Sequence, residues 1–227
     1  MRSTRNARRL IVFSILALLL SGCVIGQNTN IDGSGVIGED PREVSGISSV
    51  EMATQGTLII TQGDTESFVM ESEDNLFAYI VTEVDDKGQF TIIGRSRIHL
   101  FPTEPIIYRL TVKDLDAIKV SSTGNVEMGE LTTDSLEVVI SGEGSLEIAG
   151  GKVASQNIKL SSSGNYNAEN LECAEAVVKL TKSGSASLWV TDSLTGEISG
   201  DGGVEYRGSP TVDVTISGTG EVVQVSE

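Results

Sequence analysis

The sequence predicts an all-β protein, most of it a right-handed parallel β-helix (solenoid) with coils of roughly 18 to 20 residues. Three observations lead to this fold class. A glycine-containing turn recurs along the second half of the chain, the positions around it keep their residue types, and the composition suits strands. Aromatic residues make up only 4% of the 227 residues, whereas glycine contributes 25. Few large rings combined with many small and β-branched residues favour strands and tight turns over helical bundles.

The recurring turn is clearest in the segment Ile140-Ser141-Gly142-Glu143-Gly144-Ser145-Leu146. Its second glycine, here called the anchor glycine, recurs at Gly124, Gly144, Gly164, Gly184, Gly202 and Gly220. The successive differences in residue number are 20, 20, 20, 18 and 18. Repeats of this length are typical of architectures that stack one copy on the next.

Three positions around the anchor glycine keep their residue type in all six copies. The residue four before it is aliphatic: Val120, Ile140, Leu160, Leu180, Ile198 and Ile216. The residue three before it has a hydroxyl group: Ser121, Ser141, Ser161, Thr181, Ser199 and Ser217. The residue two after it is apolar: Val126, Leu146, Tyr166, Ala186, Val204 and Val222. If consecutive copies lie on top of one another, the apolar sets form one continuous core.

One copy, residues 131–150, shows why the chain should coil. Leu136, Val138 and Ile140 alternate with outward positions, which gives a strand with one buried face. The two glycines then supply a permissive backbone for a sharp corner. Twenty residues at about 3.3 Å each make a loop of roughly 60 Å, and stacked copies would pair as parallel strands about 4.8 Å apart. Parallel connections are nearly always right-handed. The alternative is an antiparallel β-sandwich or propeller with these turns at its hairpin tips.

The residues before the repeats predict a less regular, β-rich part that covers one end of the coil. Residues 50–62 alternate around Gly56 and resemble a divergent first coil. The further elements expected are a strand at 66–73, one or two helical turns at 76–80 after Asp74-Asn75, a hairpin of 81–84 with 89–93, an irregular stretch at 95–105 and an extended segment from Ile106.

The N-terminus has the layout of an export signal. Arginines precede an apolar run, Leu10 to Leu20, that is too short to span a bilayer. The run ends in Leu20-Ser21-Gly22-Cys23, which resembles the lipobox of bacterial lipoproteins and implies cleavage before Cys23 and lipidation of that cysteine. The cysteine is followed by Val24 rather than by an aspartate, which resembles the pattern of lipoproteins sorted to the outer membrane of diderm bacteria. An ordinary secretory signal is the alternative.

These boundaries give the expected domain organisation. We expect a lipoprotein signal peptide at 1–22, a lipid-anchored tether at 23–45, and one domain at 46–227 that is divergent over 46–112 and repetitive over 113–227. The tether is assigned from its polar and small residues, and its last part could join the fold. The expected location is the cell envelope, at the outer membrane if the organism is diderm.

Charge and residue inventory argue against several function classes. The formal net charge is -16, and without residues 1–22 only 12 basic residues oppose 32 acids, so nucleic-acid binding is disfavoured. The single histidine, His99, lies near no nucleophile motif. One histidine and one unpaired cysteine, Cys173, are too few for a zinc site, and Cys173 is expected to be a small core residue. We expect no enzymatic activity and no cofactor.

Acidic residues are the main candidates for surface recognition. Glu127, Glu147 and Glu205 share the outward position three after the anchor glycine, and Asp201 lies at a corner. Such rows suit recognition or calcium binding, although solvated acidic faces look the same in sequence. Trp189 and Tyr206 would form a sugar-stacking platform if exposed, whereas the apolar neighbours of Trp189 favour partial core. Three lysines five residues before the anchor are expected to point outward: Lys119, Lys159 and Lys179.

The order and spacing of several motifs resemble one protein family. The motifs are Gly33-Ser34-Gly35, 42–47, 58–63, Asp74-Asn75-Leu76, Thr82-Glu83-Val84 and the repeats. Over residues 33–225 they are similar to the putative auto-transporter adhesin head GIN domain family (DUF2807). The resemblance implies a bacterial envelope protein with a right-handed β-helix, like pectin-lyase-type solenoids without their catalytic residues, and a role in adhesion. Ser122, Ser162 and Lys182 replace the first glycine of the turn, so those corners are expected to be less sharp.

The sequence therefore favours a non-enzymatic, lipid-anchored envelope protein that adheres or scaffolds through its repetitive surface. A carbohydrate-binding or carbohydrate-active, pectin-lyase-like solenoid is the alternative. A cluster of acids beside a basic or aromatic groove would favour the alternative, and a smooth acidic surface would favour the first. The expected partners are the membrane, an extracellular glycan or protein, and a second copy, because the last coil (211–225) leaves an unpaired edge.

Overall fold

The structure, a computed structural model that describes residues 28–226, is nearly all β, with 65% strand and 3% helix. The predicted parallel β-solenoid is confirmed, with about five turns and coils about 20 residues apart. Ile140 pairs in parallel with Val120 on one side and with Leu160 on the other. The antiparallel sandwich or propeller is therefore wrong.

Four consecutive strands of the repeats have 13 to 16 residues, whereas the described strands before and after them have four to seven. The described strands are β1 (Thr29–Asp32), β2 (Ile37–Arg42), β3 (Ser49–Ala53), β4 (Thr57–Gln62), β5 (Ser67–Glu73), β6 (Ile80–Val84), β7 (Gln89–Gly94), β8 (Ile98–Phe101), β9 (Ile107–Val112), β10 (Ala117–Val120), β11 (Asn125–Ile140), β12 (Ser145–Leu160), β13 (Asn165–Leu180), β14 (Ala186–Ile198), β15 (Gly203–Arg207), β16 (Thr211–Ile216) and β17 (Glu221–Gln224). One 3-10 helix, Asp74–Tyr79, lies between β5 and β6.

The pairing register reproduces the sequence spacing. β11 pairs with β12, and β12 with β13, so that each anchor glycine of these coils lies beside the next one. Where the spacing in the sequence shortens by two positions, the register shortens with it: Ile198 pairs with Ile216, and Val204 pairs with Val222. The apolar sets of the sequence consequently stack inside the coil, where Val120, Ile140 and Ile198 have no exposed surface.

The anchor glycines are required for a reason other than the backbone freedom predicted from the sequence. Neither Gly144 nor Gly164 has a φ in the left-handed range, so these corners need no special backbone conformation. A Cβ on Gly144 would instead lie 1.9 Å from the carbonyl oxygen of Gly124 in the coil below, and a Cβ on Gly164 would lie 2.4 Å from that of Gly144. Close approach of backbone to backbone selects glycine here.

The first coil is formed by β3 and β4, which the sequence predicted around Gly56. β3 lies beside β10, and β4 lies beside β11, in the same relative register. The intervening chain covers the other side of this coil: the β6–β7 hairpin pairs through β7 with β3, and β9, followed by β5 and β2, pairs with β4. The predicted hairpin and short helix are present. This end of the solenoid is therefore covered by strands.

Two segments that the sequence did not predict as strands are strands. β1 and β2 lie within residues 23–45, for which the sequence suggested a tether, and pair with β8 and β5. β8 itself lies in the stretch expected to be irregular. Their sequences show little apolar alternation because these strands are largely exposed and depend on backbone pairing and polar contacts. Arg42, for example, donates to the carbonyl oxygens of Ile80 and Phe77.

The core changes character along the coil. At the N-terminal end it is aromatic, since the ring of Phe68 lies 5.1 Å from that of Phe90 and 6.3 Å from that of Tyr108, measured between centroids. In the repeats it is aliphatic, with one polar exception. The hydroxyl of Tyr166 donates to Oε1 of buried Gln156 at 2.6 Å, whereas Nε2 of Gln156 has no partner. Cys173 is fully buried, as expected of a small core residue.

Candidate functional site

One outward face of the solenoid carries lysines that are paired with carboxylates. The three lysines predicted to point outward lie on it, and each pairs with a carboxylate. Lys119 lies 2.9 Å from Glu51, Lys159 lies 2.6 Å from Glu137, and Lys179 lies 3.6 Å from Glu197. Exposed pairs of this kind add little stability, but they neutralise the charge of these three lysines.

A second face, formed by the first residues of β11 to β15, is polar and acidic. At one edge Oδ1 of Asn125 accepts from the hydroxyl of Ser145 at 2.9 Å, and Asn165 and Ser185 repeat the contact at 2.9 Å. The next outward row runs Glu127, Glu147, Asn167, Ser187 and Glu205 from coil to coil. Within residues 28–226 none of its three glutamates forms an ion pair. We call this row the acidic row.

The predicted recognition residues do not converge on one site. Glu127 and Glu147 are direct neighbours, which places two like charges about 4.8 Å apart at the backbone. Glu205 lies three strands further along, beyond Asn167 and Ser187. Asp201 lies at the corner and accepts a hydrogen bond from the hydroxyl of Thr219 at 2.6 Å. Cys23 lies outside the described residues.

The shortening of the later coils produces a step in this face. Ala168 pairs with Leu188, and the next pair is Glu172 with Trp189, so residues 169–171 of β13 have no counterpart on β14. Of these three residues, Leu171 still pairs with Gly151 of β12 and is buried, whereas Glu169 and Asn170 are exposed beside the acidic row. The shorter repeat therefore produces a local step on an otherwise flat surface.

A cleft of about 180 Å3 lies at this step. We call it the step cleft. It is lined by Glu169, Asn170, Ser187, Leu188, Glu205, Arg207, Val225 and Ser226. Two carboxylates, one amide and one guanidinium therefore face a space that fits one edge of a small polar ligand.

Arg207 is the structural centre of the step cleft. Its guanidinium carbon lies 4.2 Å from the centroid of the Trp189 ring, a cation–π arrangement that holds the side chain flat. Its Nη2 reaches Oδ1 of Asn170 only at 3.5 Å, and its buried Nε has no hydrogen-bond partner. Trp189 is half-buried and has Arg207 over its ring, in agreement with partial core. Arg207 thus has donor capacity that its described neighbours do not use.

The position of Arg207 is occupied by a charged residue in two of the three preceding coils. Arg207 follows Trp189, which follows Glu172 and then Lys152. Lys152 donates to Glu172 at 2.6 Å, and this contact raises the pKa of Lys152 above its ordinary value. The negative charge of Glu172 is therefore partnered away from the cleft, whereas within the described residues Glu169 and Glu205 have no cation within ion-pair distance.

One strongly bound carboxylate lies elsewhere, near the N-terminal strands. Glu73 is buried and accepts hydrogen bonds from the hydroxyl of Thr103 at 2.7 Å, the N–H of Gly35 at 2.7 Å and the N–H of Thr103 at 2.9 Å. These bonds, that from the Thr103 hydroxyl first, lower the pKa of Glu73. A Cβ on Gly33 would lie 2.0 Å from this carboxylate. Glu73 therefore fastens the loop between β1 and β2 and is structural.

Sequence reasoning missed Glu169, Asn170 and Arg207. The signal that could have found them is the shortening of the repeat after Gly184, because two deleted residues must leave part of the preceding coil unmatched. Within residues 28–226, no group of three or more histidine, cysteine or acidic side chains is placed to hold a metal ion. His99 is exposed on β8, opposite Asn30.

The chain matches one family model over most of its described length. The model described as "Putative auto-transporter adhesin, head GIN domain" matches residues 47–210. The chain belongs to this family. The match spans the first coil, β5, the β6–β7 hairpin, β9 and the repeats as far as β15. It therefore includes the whole acidic row and all the residues that line the step cleft except Val225 and Ser226.

Solved structures with the head GIN fold are similar along most of the chain. A putative adhesin from Bacteroides fragilis has a TM-score of 0.75 at 20% identity, covering 86% of this chain and 100% of its own. A putative lipid binding protein from Parabacteroides distasonis has a TM-score of 0.56 at 20% identity, covering 87% and 100%. At these identities the likeness is one of fold. No curated protein is significantly similar to the chain. Among residues 28–226, no helix has the length and apolarity needed to cross a bilayer.

Proposed function

We propose that this head GIN protein is a non-enzymatic cell-envelope adhesin that is exported, lipid-anchored through Cys23, and binds an extracellular glycan at the step cleft. The family description supports adhesion and a surface location. The signal-like N-terminus and the lipobox-like Leu20-Ser21-Gly22-Cys23 support the anchor and, with Val24, the outer membrane of a diderm organism.

The composition of the step cleft is the observation on which the glycan proposal rests. Carboxylate oxygens of Glu169 and Glu205 each accept hydroxyl donors, and the amide of Asn170 can both donate and accept. The guanidinium of Arg207 adds donors in a fixed plane because it is stacked on Trp189. Alternating acceptors and donors around a small space suit the vicinal hydroxyl groups of a sugar. The sequence criterion of acids beside a basic or aromatic groove, which favours a carbohydrate-binding or carbohydrate-active solenoid, is met here and supports a sugar as the ligand.

The test is a binding screen against glycan and matrix-protein arrays with the 24–227 fragment, which contains every described strand. The informative variant is Glu205→Gln, which removes one acceptor charge from the cleft. Its matched control is Glu127→Gln, the same change in the same row at the far end of the face. A glycan bound at the cleft should lose at least fivefold in affinity with Glu205→Gln and less than twofold with Glu127→Gln.

The other outcomes are also decisive. Equal losses from the two variants would mean recognition along the whole acidic row, and the step cleft would not be the site. Binding that disappears with a chelator would require a bound cation, and calcium at the glutamates would then replace the present proposal. Arg207→Lys keeps the charge but loses the planar stack on Trp189, so unchanged binding by this variant would contradict the assigned role of Arg207.

A further inference from the structure

The C-terminal end of the solenoid differs from its covered N-terminal end. β16 pairs with β14, and β17 pairs with β15, and within the described residues neither has a second neighbour. Their outer edges present rows of unpaired backbone groups, which are templates for a further strand. Proline, which would remove a backbone N–H from the edge, is missing from the two strands, and each strand carries a single charge: Asp213 in Thr211–Ile216 and Glu221 in Glu221–Gln224.

The hydrogen-bond pattern shows which groups are left without a partner. In each coil the carbonyl oxygen of the residue four before the anchor glycine accepts a hydrogen bond from a backbone N–H of the next coil. The donor is the residue three before the next anchor glycine. The acceptor and donor pairs are Met52 and Ser121, Val120 and Ser141, Ile140 and Ser161, Leu160 and Thr181, Leu180 and Ser199, and Ile198 and Ser217. Ile216 is the next member of this series. By the alternation of a strand, Val212, Val214 and Ile216 direct their backbone groups to the free edge, and Asp213 and Thr215 direct theirs to β14.

The apolar side chains that stack inside the solenoid are also exposed at this end. Ile198 has no exposed surface, but Ile216, one coil further, is 44% exposed. Leu194 is fully buried, and its successor Val212 is 40% exposed. The last coil therefore presents the apolar surface that every earlier coil buries against its neighbour.

We propose that two copies of this chain associate end to end through this last coil, pairing their β16 strands in antiparallel fashion. A partner must offer a strand and an apolar end of the same size, and the last coil of a second copy has both. A two-fold axis makes the contact self-complementary and closes it at two copies, because the other end of each solenoid is covered.

The free backbone groups and the charge of Asp213 together favour one register. Val214 opposite Val214 of the second copy aligns the outward-directed backbone groups of both strands, and it places Val212 opposite Ile216. In this register Asp213 lies opposite Thr215 of the second copy, which avoids opposing two aspartates. The neighbouring register with Asp213 opposite Asp213 is disfavoured by like charge.

Size and charge set the expected strength. An end of roughly 20 by 25 Å buries about 500 Å2 per copy, or about 1,000 Å2 in total, at the low end of specific interfaces. The formal net charge of -16 for the whole chain adds repulsion between copies, which salt screens. The dimer should therefore be weak, with dissociation constants of tens of micromolar, and tighter at high ionic strength.

The experiment is sedimentation equilibrium of the 24–227 fragment from about 1 to 500 µM, in 0.15 M and 0.5 M NaCl. A monomer–dimer equilibrium without larger species is expected, at least twofold tighter in 0.5 M NaCl. Val214→Pro should weaken it at least tenfold, because it removes an N–H on the free edge while Asp213 and Thr215 keep the pairing with β14. Thr215→Lys should tighten it at least threefold in 0.15 M NaCl by placing an ammonium opposite Asp213 of the second copy.

Circular dichroism and urea midpoints check that both variants are folded. A strict monomer at 500 µM in both salts would overturn the proposal. A dimer that is unchanged by a folded Val214→Pro variant would place the contact elsewhere. A dimer weakened or unchanged by Thr215→Lys, whose side chain is exposed in the monomer, would exclude the register.

Discussion

Replacing one anchor glycine by alanine tests whether close stacking of the corners limits the spacing of the coils. A Cβ on Gly164 would lie 2.4 Å from the carbonyl oxygen of Gly144 and 2.6 Å from Cγ2 of Ile140. Real Cβ contacts begin near 3.0 Å, so the two coils must separate locally by at least 0.6 Å. The 2.9 Å bond from the N–H of Ser161 to the carbonyl of Ile140 would then lengthen to about 3.5 Å.

Loss of that bond, and of the neighbouring bond from the Ser162 hydroxyl to the Gly142 carbonyl, should cost about 1 kcal/mol each. Strain in the packed corner adds about 1–2 kcal/mol. Gly164→Ala should therefore lower the free energy of unfolding by about 3–4 kcal/mol. At an m-value of roughly 2.5 kcal/mol per molar urea, the midpoint should fall by about 1 M or more.

The matched control is Gly150→Ala on the same coil, whose Cβ would lie 3.6 Å from its nearest neighbour, an ordinary contact. This change should alter stability by no more than about 0.5 kcal/mol. Urea unfolding should be followed by circular dichroism and by the fluorescence of the single tryptophan, Trp189. Equal midpoints for the two variants would refute the argument that carbonyl contact, rather than strand propensity, selects glycine at the anchors.

Three further predictions concern buried groups. The pKa of Glu73 is lowered in the folded protein, so its contribution to stability is present above its unfolded pKa of about 4.3 and is lost as the pH falls through the lower folded value. Below about pH 4.5 the urea midpoint of Glu73→Gln should therefore depend less steeply on pH than that of the unmodified protein. Tyr166→Phe should destabilise by about 1–2 kcal/mol by leaving Gln156 unpartnered, and adding Gln156→Leu should restore stability, whereas additive losses in a double-mutant cycle would contradict this. Burial raises the pKa of Cys173 to about 11, so a thiol reagent at pH 8 should label it only after denaturation, and rapid labelling of the native protein would contradict its burial.

The repeats could be predicted from sequence because their periodicity repeats one physical requirement many times. The aliphatic residues, the hydroxyl residues and the anchor glycines each occupy equivalent places in every coil, and the observed pairing of Ile140 with Val120 and Leu160 follows directly from their spacing. The first coil around Gly56 was predictable for the same reason.

The N-terminal strands and the step cleft could not be read in the same way. β1 and β2 are held by backbone pairing and by the carboxylate of Glu73, contacts that leave no apolar alternation in their own sequences. The step cleft combines Glu169 with Arg207, which are far apart in the chain and meet only because the register shifts between β13 and β14. A pattern within single copies does not contain that information.

The position of the first coil has a consequence for the order of folding. Neighbouring repeats pair at the spacing of the coils, whereas β3 and β4 find their partners β10 and β11 only beyond the whole of β5 to β9. Closing the longer loop costs about 1 kcal/mol more in chain entropy, so nucleation should begin among the repeats and spread back toward the N-terminus. As the chain emerges N-terminus first, the edges of β3 and β4 that face the repeats must remain unpaired until residues 117–128 arrive. Pulse-labelling hydrogen exchange should therefore protect β12 and β13 before β3.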